Sequence, residues 1–374
     1  MTQTMNGTTP TINTQIKETI APKTTKTKTP RKPTVPELFI DGGSTRTKYY
    51  LQGISDSYQS IAREFPKGHE LPLGVLGVFA MGDKSYAVGD SAESLGGGKI
   101  HEGYANDNKI KLLQVWIIGA LTMHDSFLFK RMKKQKEGTI NIDLKLSLLS
   151  LSSHRKKEID KALKEITFTF DEREFKINIT EYKLYPEGYG AACAAKKILK
   201  GMKSKDKRFH ILDLGGGTLT HTPYSNLNGV PRASSQHSVS GAGVMAITEF
   251  FGKEATKGDT GGNIYHASRL KETLESSHMV DDQYKAEIDL GDDTKELGDR
   301  LYSGLQEWSR EIIGVRELLR DIKQLIRKRE RVFLTGGGFA IQTIRHFVLD
   351  YLDNSELVTV LDNPQDVNIT GIKS

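Results

Sequence analysis

Three apolar segments of the sequence each end in a glycine-rich turn. They are Glu37–Asp41 before Gly42 and Gly43, Phe209–Leu214 before Gly215, Gly216 and Gly217, and Val332–Thr335 before Gly336, Gly337 and Gly338. Such a turn lets the backbone approach a phosphate closely, and its exposed N–H groups can donate to phosphate oxygens. Asp41 and Asp213, at or beside two of the segment ends, offer the carboxylates that Mg²⁺ prefers together with water. Two strand-Asp-x-Gly copies, 172 residues apart, therefore predict two similar halves facing one nucleotide.

Other familiar sites are not supported by the sequence. It contains no G-x-x-x-x-G-K-[ST] and no G-x-G-x-x-G segment, which argues against a P-loop and a dinucleotide-binding turn. Metal-binding spacings such as C-x-x-C and H-E-x-x-H are also missing. The one cysteine, Cys193, lies in an Ala-Ala-Cys-Ala-Ala run that is typical of a closely packed helix, so a thiol nucleophile is not expected.

The composition, with 37% hydrophobic and 27% charged residues, is typical of a globular protein. One cysteine cannot form an intramolecular disulfide, which favours a reducing compartment. No apolar run approaches the roughly 18–20 residues that span a bilayer, and the N-terminus lacks the apolar core of a secretory signal. We therefore expect a cytoplasmic protein with no membrane contact.

The net charge of +6 belongs mainly to residues 1–36. This segment holds six basic residues and one glutamate, a charge of +5, which leaves +1 for the other 338 residues. Its Thr-, Lys- and Pro-rich composition predicts a disordered basic tail. Direct contact with DNA or an acidic partner is conceivable only through this tail, and a solvated leader with no specific role is the favoured alternative. The nearly neutral body lacks the charge pattern of a DNA-binding protein.

Hydrophobic periodicity predicts alternating strands and helices on both sides of residue 210. In the first half we expect strands at 47–52, 77–81 and 140–150, a helix at 109–123, a helix at 154–165 capped by Ser153, a hairpin at 167–179, and a helix at 186–199. In the second half we expect a helix near 242–251 and one long amphipathic helix over 301–329. That helix could form a coiled coil, but packing against a sheet is favoured.

Several of these segments resemble motifs of the actin superfamily. Ile40–Lys48 (IDGGSTRTK) is similar to the first phosphate motif, Asp213–Thr218 (DLGGGT) to the second, Leu334–Ala340 (LTGGGFA) to the adenosine motif, and Pro186–Ala191 (PEGYGA) to the connecting helix. The segments YAVGDSA at 86–92 and DNPQDVNITG at 362–371 resemble the plasmid-segregation branch, ParM/StbA. The resemblance covers nearly the whole chain after the tail.

The resemblance implies a role for each motif residue, with ATP and Mg²⁺ as cofactors. Asp41 and Asp213 would hold Mg²⁺ through water, Lys48 would neutralise charge near the β-phosphate, and Glu187, acting with Asp213, would orient or deprotonate the attacking water. The phosphate-binding turns would comprise Gly43, Ser44, Thr45, Gly215, Gly216, Gly217 and Thr218. The adenosine would lie against Gly336, Gly337 and Gly338.

Each of these residues also has an ordinary structural alternative. Asp41 could cap the turn that it begins, Lys48 could be a solvated strand lysine, and Glu187 could be an acidic residue near a helix N-terminus. The pairing of Asp41 with Asp213 favours the metal role. His221, just beyond the second turn, is expected to make structural hydrogen bonds.

The implied fold is α/β, with two ribonuclease-H-like, actin-like lobes and the nucleotide in the cleft between them. Domain I would comprise residues 37–210, with 345–374 packing back onto it, and domain II would comprise 211–344. The sequence departs from the family pattern at its basic leader and after Asn368, where we expect the usual closing helix to be missing or very short.

The function implied by the resemblance is ATP hydrolysis coupled to head-to-tail filament assembly. In the plasmid-segregation branch, a DNA-binding adaptor at a centromere-like site links the filament to its cargo. Three alternatives stay open: a small-molecule kinase of the same superfamily, an ATP-dependent chaperone, and a structural filament or scaffold that does not hydrolyse ATP. The chaperone would need an appended substrate-binding domain, for which the sequence leaves little room.

Overall fold

The computed structural model describes residues 34–43, 45–66, 68–103, 108–124, 126–149, 151, 155–227, 229–257, 265–291 and 293–373. Three predictions fall wholly or partly outside these ranges. They are the disorder of the basic tail, the role of Ser44, and the capping of a helix by Ser153.

The described chain alternates strands and helices, as the hydrophobic pattern predicts. Its strands are β1 (Glu37–Gly42), β2 (Arg46–Leu51), β3 (Ile54–Gln59), β4 (Ile61–Phe65), β5 (Val78–Met81), β6 (Lys84–Val88), β7 (Lys99–Glu102), β8 (Ile140–Leu149), β9 (Ile166–Phe170), β10 (Arg173–Tyr185), β11 (Arg208–Leu214), β12 (Thr218–Leu227), β13 (Val230–Ala233), β14 (His237–Ser240), β15 (His278–Val280), β16 (Gln283–Lys285), β17 (Glu287–Asp289), β18 (Thr294–Glu296), β19 (Arg331–Thr335) and β20 (Val358–Val360).

The structure describes twelve α-helices. They are α1 (Asp90–Ser94), α2 (Asn108–Lys111), α3 (Leu113–Met123), α4 (Phe127–Lys134), α5 (Lys156–Ala162), α6 (Tyr189–Gly201), α7 (Val244–Thr256), α8 (Ala267–Ser276), α9 (Gly298–Glu311), α10 (Ile313–Arg327), α11 (Gln342–Tyr351) and α12 (Val367–Ile372). A short 3₁₀ turn, Gly337–Ala340, follows β19. No described helix is long and apolar enough to cross a bilayer.

The two large sheets share one strand order. In the first sheet the order is β3-β2-β1-β8-β10, extended by β9, β5, β6, β4 and β7, and in the second it is β13-β12-β11-β19-β20, with β14 also paired to β12. In both, the first three strands are antiparallel and the last two run parallel to the third. This repeat confirms the prediction of an α/β protein with two ribonuclease-H-like lobes.

The repeated strand order puts the two predicted metal aspartates in equivalent places. Asp41 pairs with Lys48 of β2 on one side and with Leu149 of parallel β8 on the other. Asp213 pairs with Thr220 of β12 and with Thr335 of parallel β19. Since ligands of such sheets bind beyond the carboxyl ends of the parallel strands, both aspartates occupy the expected position.

Helices α6 and α12 touch backbone to backbone through two glycines. A Cβ atom on Gly190 would lie 1.9 Å from the carbonyl oxygen of Asn368, and one on Gly371 would lie 2.0 Å from the carbonyl oxygen of Gly190. On its other side, α6 packs against the second sheet, where Ala191 and Ala195 are buried with Phe209 and other residues. The short helix α12, six residues long, is thereby joined to the element that precedes β11.

The prediction of one continuous helix over 301–329 was wrong. The segment forms α9 and α10, separated at Ile312, whose φ of −80° and ψ of 100° are extended. Gly314, in the first turn of α10, lies so close to β14 that a Cβ atom there would be 2.7 Å from a methyl group of Val239. The buried residues of both helices belong to one core.

His221 makes structural hydrogen bonds, as predicted. Its Nε2 lies 3.0 Å from Nδ1 of His210, and Nε2 of His210 lies 2.6 Å from a carboxylate oxygen of Glu330. If His210 donates to Glu330, its other nitrogen must accept from His221, so the chain of bonds suits two neutral rings. Burial, followed by the charges of His210 and His237, lowers the pKa of His221 to about 4.

This lowered pKa predicts acid destabilisation. The pKa of His221 is about 4 in the folded protein and ordinarily 6.5. At pH values between these two, His221 binds more protons in the unfolded chain than in the folded one. The free energy of unfolding therefore falls as the pH decreases through this range. Because the ring is partly exposed, we expect a loss of about 1–2 kcal/mol between pH 7 and pH 5. Urea unfolding at both pH values should show that this loss disappears in His221→Gln. The loss of stability should persist in the control His278→Gln, which changes an exposed histidine. If His221→Gln loses as much stability as wild type between pH 7 and pH 5, His221 is not the group responsible.

Candidate functional site

A cavity of about 500 Å³ opens where β1, β11 and β19 end, and residues of both lobes line it. Fourteen residues were predicted to form the site, and of the thirteen that the structure describes, all but Gly217 line this cavity. The twelve are Asp41, Gly43, Thr45, Lys48, Glu187, Asp213, Gly215, Gly216, Thr218, Gly336, Gly337 and Gly338. The volume falls in the range of about 300–1,000 Å³ that is usual for small-molecule sites.

The first glycine turn is closed by its own hydrogen bond and touches the second. The N–H of Gly43 donates to the carbonyl oxygen of Asp41 at 2.9 Å. A Cβ atom on Gly216 would lie 2.3 Å from the methyl group of Thr45. Glycine at position 216 is therefore required for the two turns, one from each lobe, to meet at the floor of the cavity.

The second turn is anchored to the start of α7. Gly215 donates to the carbonyl oxygen of Thr218 at 2.9 Å, and the N–H groups of Val244 and Met245 donate to the carbonyl oxygens of Gly215 and Gly216. The carbonyl oxygen of Gly217 accepts from the N–H of Gly241, and Gly217 does not line the cavity. Within the described part of the chain, the N–H group of Gly216 has no protein acceptor, and since Gly216 lines the cavity this group can donate to an anionic ligand.

The third turn needs two of its glycines for packing. Gly336 has a φ of +98°, and a Cβ atom there would lie 2.3 Å from Oδ1 of Asp213. A Cβ atom on Gly338 would lie 2.4 Å from the side chain of Leu214. At Gly337, no atom of the described residues lies within 4 Å of the same position. Gly336 and Gly338 thus fix the third turn against the second, and Gly337 presents bare backbone to the cavity.

Three carboxylates converge on the cavity. Asp41 and Asp213 are 7% and 6% exposed, and both line it together with the partly buried Glu187. Burial, and after it the charge of Asp41, raises the pKa of Asp213. Burial, followed by the charges of Asp213 and Asp41, raises the pKa of Glu187 to about 7, against the opposing charge of Lys109. This concentration of negative charge favours a bound cation.

The donor set fits a hydrated Mg²⁺ ion. Among the described residues there is no group of three or more His, Cys, Asp or Glu side chains that could hold a metal on its own. Two buried aspartates supply hard oxygen ligands and leave the other positions to water and to a ligand, which is the way Mg²⁺ is usually bound.

One end of the cavity differs from the glycine turns. Met245 and Thr248 of α7 line it with Ile341, and Lys271 and Glu275 of α8 lie one helical turn apart at 3.5 Å. Apolar surface beside a few charged side chains suits a flat heterocycle with polar edges.

Comparison with known proteins gives the fold but no close relative. No protein-family model matches the sequence. A search of the curated proteins found no match either. Among solved structures, an archaeal actin homolog, Ta0583, matches with a TM-score of 0.62 over 90% of this chain and 97% of that chain, at 16% sequence identity. The chain has an actin-like fold.

Two ParM structures also share this actin-like fold. A ParM from a 15-stranded filament of Clostridium botulinum matches with a TM-score of 0.63 and 18% identity, covering 90% of this chain and 97% of that one. Bacillus thuringiensis ParM with ATP matches with a TM-score of 0.58 and 14% identity, covering 91% and 98%. At these identities the likeness concerns the fold alone.

The actin-like arrangement brings further residues to the cavity that the motifs did not identify. Gln236, in the segment before β14, donates from Nε2 to Oε2 of Glu187 at 3.2 Å. Asn368, at the start of α12, donates from Nδ2 to Oδ2 of Asp213 at 3.1 Å. Arg46 lines the wall beside Lys48 and is held by Ser57 at 3.1 Å. Asn368 lay in the segment DNPQDVNITG and Arg46 in IDGGSTRTK, both singled out from sequence, but neither motif showed the contact that its residue makes.

Proposed function

We propose that this chain binds and hydrolyses Mg-ATP in the cavity between its lobes and polymerises into dynamic filaments that segregate DNA. The observation that carries the proposal is the convergence of three glycine turns and three carboxylates on one cavity of an actin-like fold. The similar structures support it, because one belongs to a ParM filament and another is a ParM with ATP.

The phosphates would lie against the first two turns. We assign the N–H group of Gly216 as a donor, because those of Gly43 and Gly215 are engaged inside their own turns. Lys48 would supply the positive charge. Its Nζ now donates to the backbone carbonyl of Gln365, so this lysine must exchange that partner for a phosphate oxygen. The adenosine would rest on Gly337, with its base towards Met245, Lys271 and Glu275.

Asp41 and Asp213 would hold the Mg²⁺ ion of the Mg-ATP complex. Bound there, Mg²⁺ would neutralise charge that develops on the phosphates. The burial of both carboxylates excludes competing solvent and strengthens their interaction with a cation. Asp213 is held by Asn368, so its second oxygen has a fixed direction.

Glu187 would orient and deprotonate the attacking water. A pKa raised to about 7 by burial and by two neighbouring carboxylates suits a general base at neutral pH. Gln236 fixes one carboxylate oxygen at 3.2 Å and leaves the other for water. Closure of the two lobes would bring Glu187 towards the phosphates, and hydrolysis would loosen the closed arrangement of the lobes.

Filament assembly and DNA cargo extend the proposal beyond the ATP site. A head-to-tail contact between identical subunits is heterologous and generates an open polymer. We propose domain I at 37–210, domain II at 211–344, and a cytoplasmic filament. The end of the chain is divided, because β20 pairs with β19 of the second sheet, whereas α12 packs against α6. A DNA-binding adaptor at a centromere-like site would attach the cargo, and any direct DNA contact would be made by residues 1–36.

Light scattering tests the proposal. We expect right-angle scattering of the purified protein to rise after addition of Mg-ATP and to decay as phosphate is released. No rise with ATP, or with a non-hydrolysable analogue at high protein concentration, would contradict the filament. Phosphate transfer to a small molecule would support a kinase, and a persistent rise without phosphate release would support a scaffold.

A valine at Gly337 should separate nucleotide binding from folding. Because a Cβ atom there meets no described atom within 4 Å and φ is not positive, we expect the melting temperature to stay unchanged. The branched side chain would occupy the adenosine position and weaken ATP binding about tenfold or more. Calorimetric titration of Gly337→Val with ATP checks this, with Gly96→Val, at an equally open surface position, as the control. Unchanged affinity would place the adenosine elsewhere.

A further inference from the structure

One short segment, Pro364–Asn368, makes hydrogen bonds to all three parts of the candidate ATP site. The carbonyl oxygen of Pro364 accepts from the hydroxyl of Thr335 at 3.1 Å and from the N–H of Gly336 at 3.0 Å. The carbonyl oxygen of Gln365 accepts from Lys48. The carboxamide of Asn368 donates to Asp213. The segment therefore contacts β2, the end of β11 and the third glycine turn.

Asn368 uses both ends of its carboxamide. Its Nδ2 donates to Asp213 at 3.1 Å, and its Oδ1 accepts from the N–H of Ala191 at 3.2 Å. Ala191 is the third residue of α6, and the residue before that helix, Gly188, provides no side-chain cap. Asn368 therefore caps α6 from a distant part of the chain, where a helix N-terminus has unpaired N–H groups.

The position of this carboxamide is fixed by the backbone beneath it. Gly190 and Gly371 hold α6 and the Asn368 backbone so close that no Cβ atom fits between them. The side chain is 8% exposed, so water does not compete strongly for its two bonds. A movement of α6 must therefore move Asn368 and, through it, Asp213.

We infer that Asn368 is a positioning residue that couples the metal-binding carboxylate of Asp213 to the helix that follows Glu187. This inference rests on the proposed ATPase function. Glu187 lies two residues before α6. Of the uncharged side chains of this length, only a carboxamide accepts from an N–H group and donates to a carboxylate at once. Aspartate would keep the first bond but repel Asp213, and alanine would lose both.

The test compares Asn368→Ala with wild type in two binding conditions and one kinetic measurement. Fluorescent mant-ATP is titrated in excess EDTA and in saturating Mg²⁺, and phosphate release is measured at saturating Mg-ATP. We expect affinity in EDTA to stay within about twofold, affinity in Mg²⁺ to fall about tenfold or more, and kcat to fall by at least a similar factor. A purely structural role would lower both affinities alike.

Thr370→Ala is the matched control, because Thr370 is exposed on the same helix and its hydroxyl bonds only to the carbonyl oxygen of Asp366 within the described structure. If Asn368→Ala does not fold, Asn368→Asp, which keeps the bond to Ala191, takes its place with the same expected loss of kcat. If a folded variant keeps the wild-type kcat and Mg²⁺ dependence, the inference about Asn368 is wrong, and the proposed ATPase function is unaffected. A wild-type protein that binds no mant-ATP would overturn the proposed function and the inference with it.

Discussion

Replacing Glu187 with glutamine should lower the rate of phosphate release about 100-fold or more while ATP binding stays close to that of wild type. The amide keeps the size of the side chain and can still bond to Gln236, but it cannot accept a proton from water. Loss of one negative charge beside Asp41 and Asp213 should not weaken the binding of an anionic nucleotide. Single-turnover phosphate release and mant-ATP titration measure the two effects separately.

The filaments of Glu187→Gln provide a second readout. If hydrolysis triggers disassembly, light scattering should rise with Mg-ATP as in wild type and then persist. Glu181→Gln is the matched control, since Glu181 lies six residues earlier on the exposed part of β10 and pairs with Lys145 rather than facing the cavity. If Glu187→Gln releases phosphate at the wild-type rate, Glu187 is not the general base. If the variant loses ATP binding as well as hydrolysis, the role of Glu187 is structural.

Most of the site could be predicted because its signals are local. Each glycine turn follows an apolar strand directly, and the repetition of strand, aspartate and glycine implied that two of the turns face each other. The equivalent register of Asp41 and Asp213 follows from that repetition. Gln236, Lys109 and Asn368 could not be found in this way, because common polar residues far apart in the chain become partners only through the fold.

Local signals also left the purpose of individual glycines undetermined. Gly336 and Gly338 are required by the approach to Asp213 and Leu214, and of the three glycines only Gly337 has open space at the position of a Cβ atom. The same limit explains the error at 301–329. Apolar residues continue with helical spacing through Ile312, so periodicity does not show that the helix breaks there. Packing between distant elements, rather than propensity, decided these features.

Alanine at Gly190 should be among the most destabilising single substitutions in this chain. Its Cβ would lie 1.9 Å from the carbonyl oxygen of Asn368, 2.5 Å from the carbonyl carbon and 2.7 Å from the Cα atom. All three are backbone atoms, so no side-chain rotation relieves the overlap. Separating α6 from α12 would also pull Asn368 away from Ala191 and Asp213. We expect a loss of about 3 kcal/mol or more in the free energy of unfolding, measured by urea titration.

Gly201→Ala, at the other end of the same helix, isolates the steric effect from the general effect of changing a helical glycine. A Cβ atom at Gly201 meets nothing within 4 Å and φ is not positive, so this change should be neutral or stabilise the protein by about 0.5–1 kcal/mol. Gly371→Ala, which places its Cβ 2.0 Å from the carbonyl oxygen of Gly190, should resemble Gly190→Ala. If both variants unfold like Gly201→Ala, the close backbone contact between α6 and α12 does not contribute to the stability of the fold. If they are destabilised and also lose Mg²⁺-dependent nucleotide binding, the same contact supports both the fold and the site, because Asn368 lies within it.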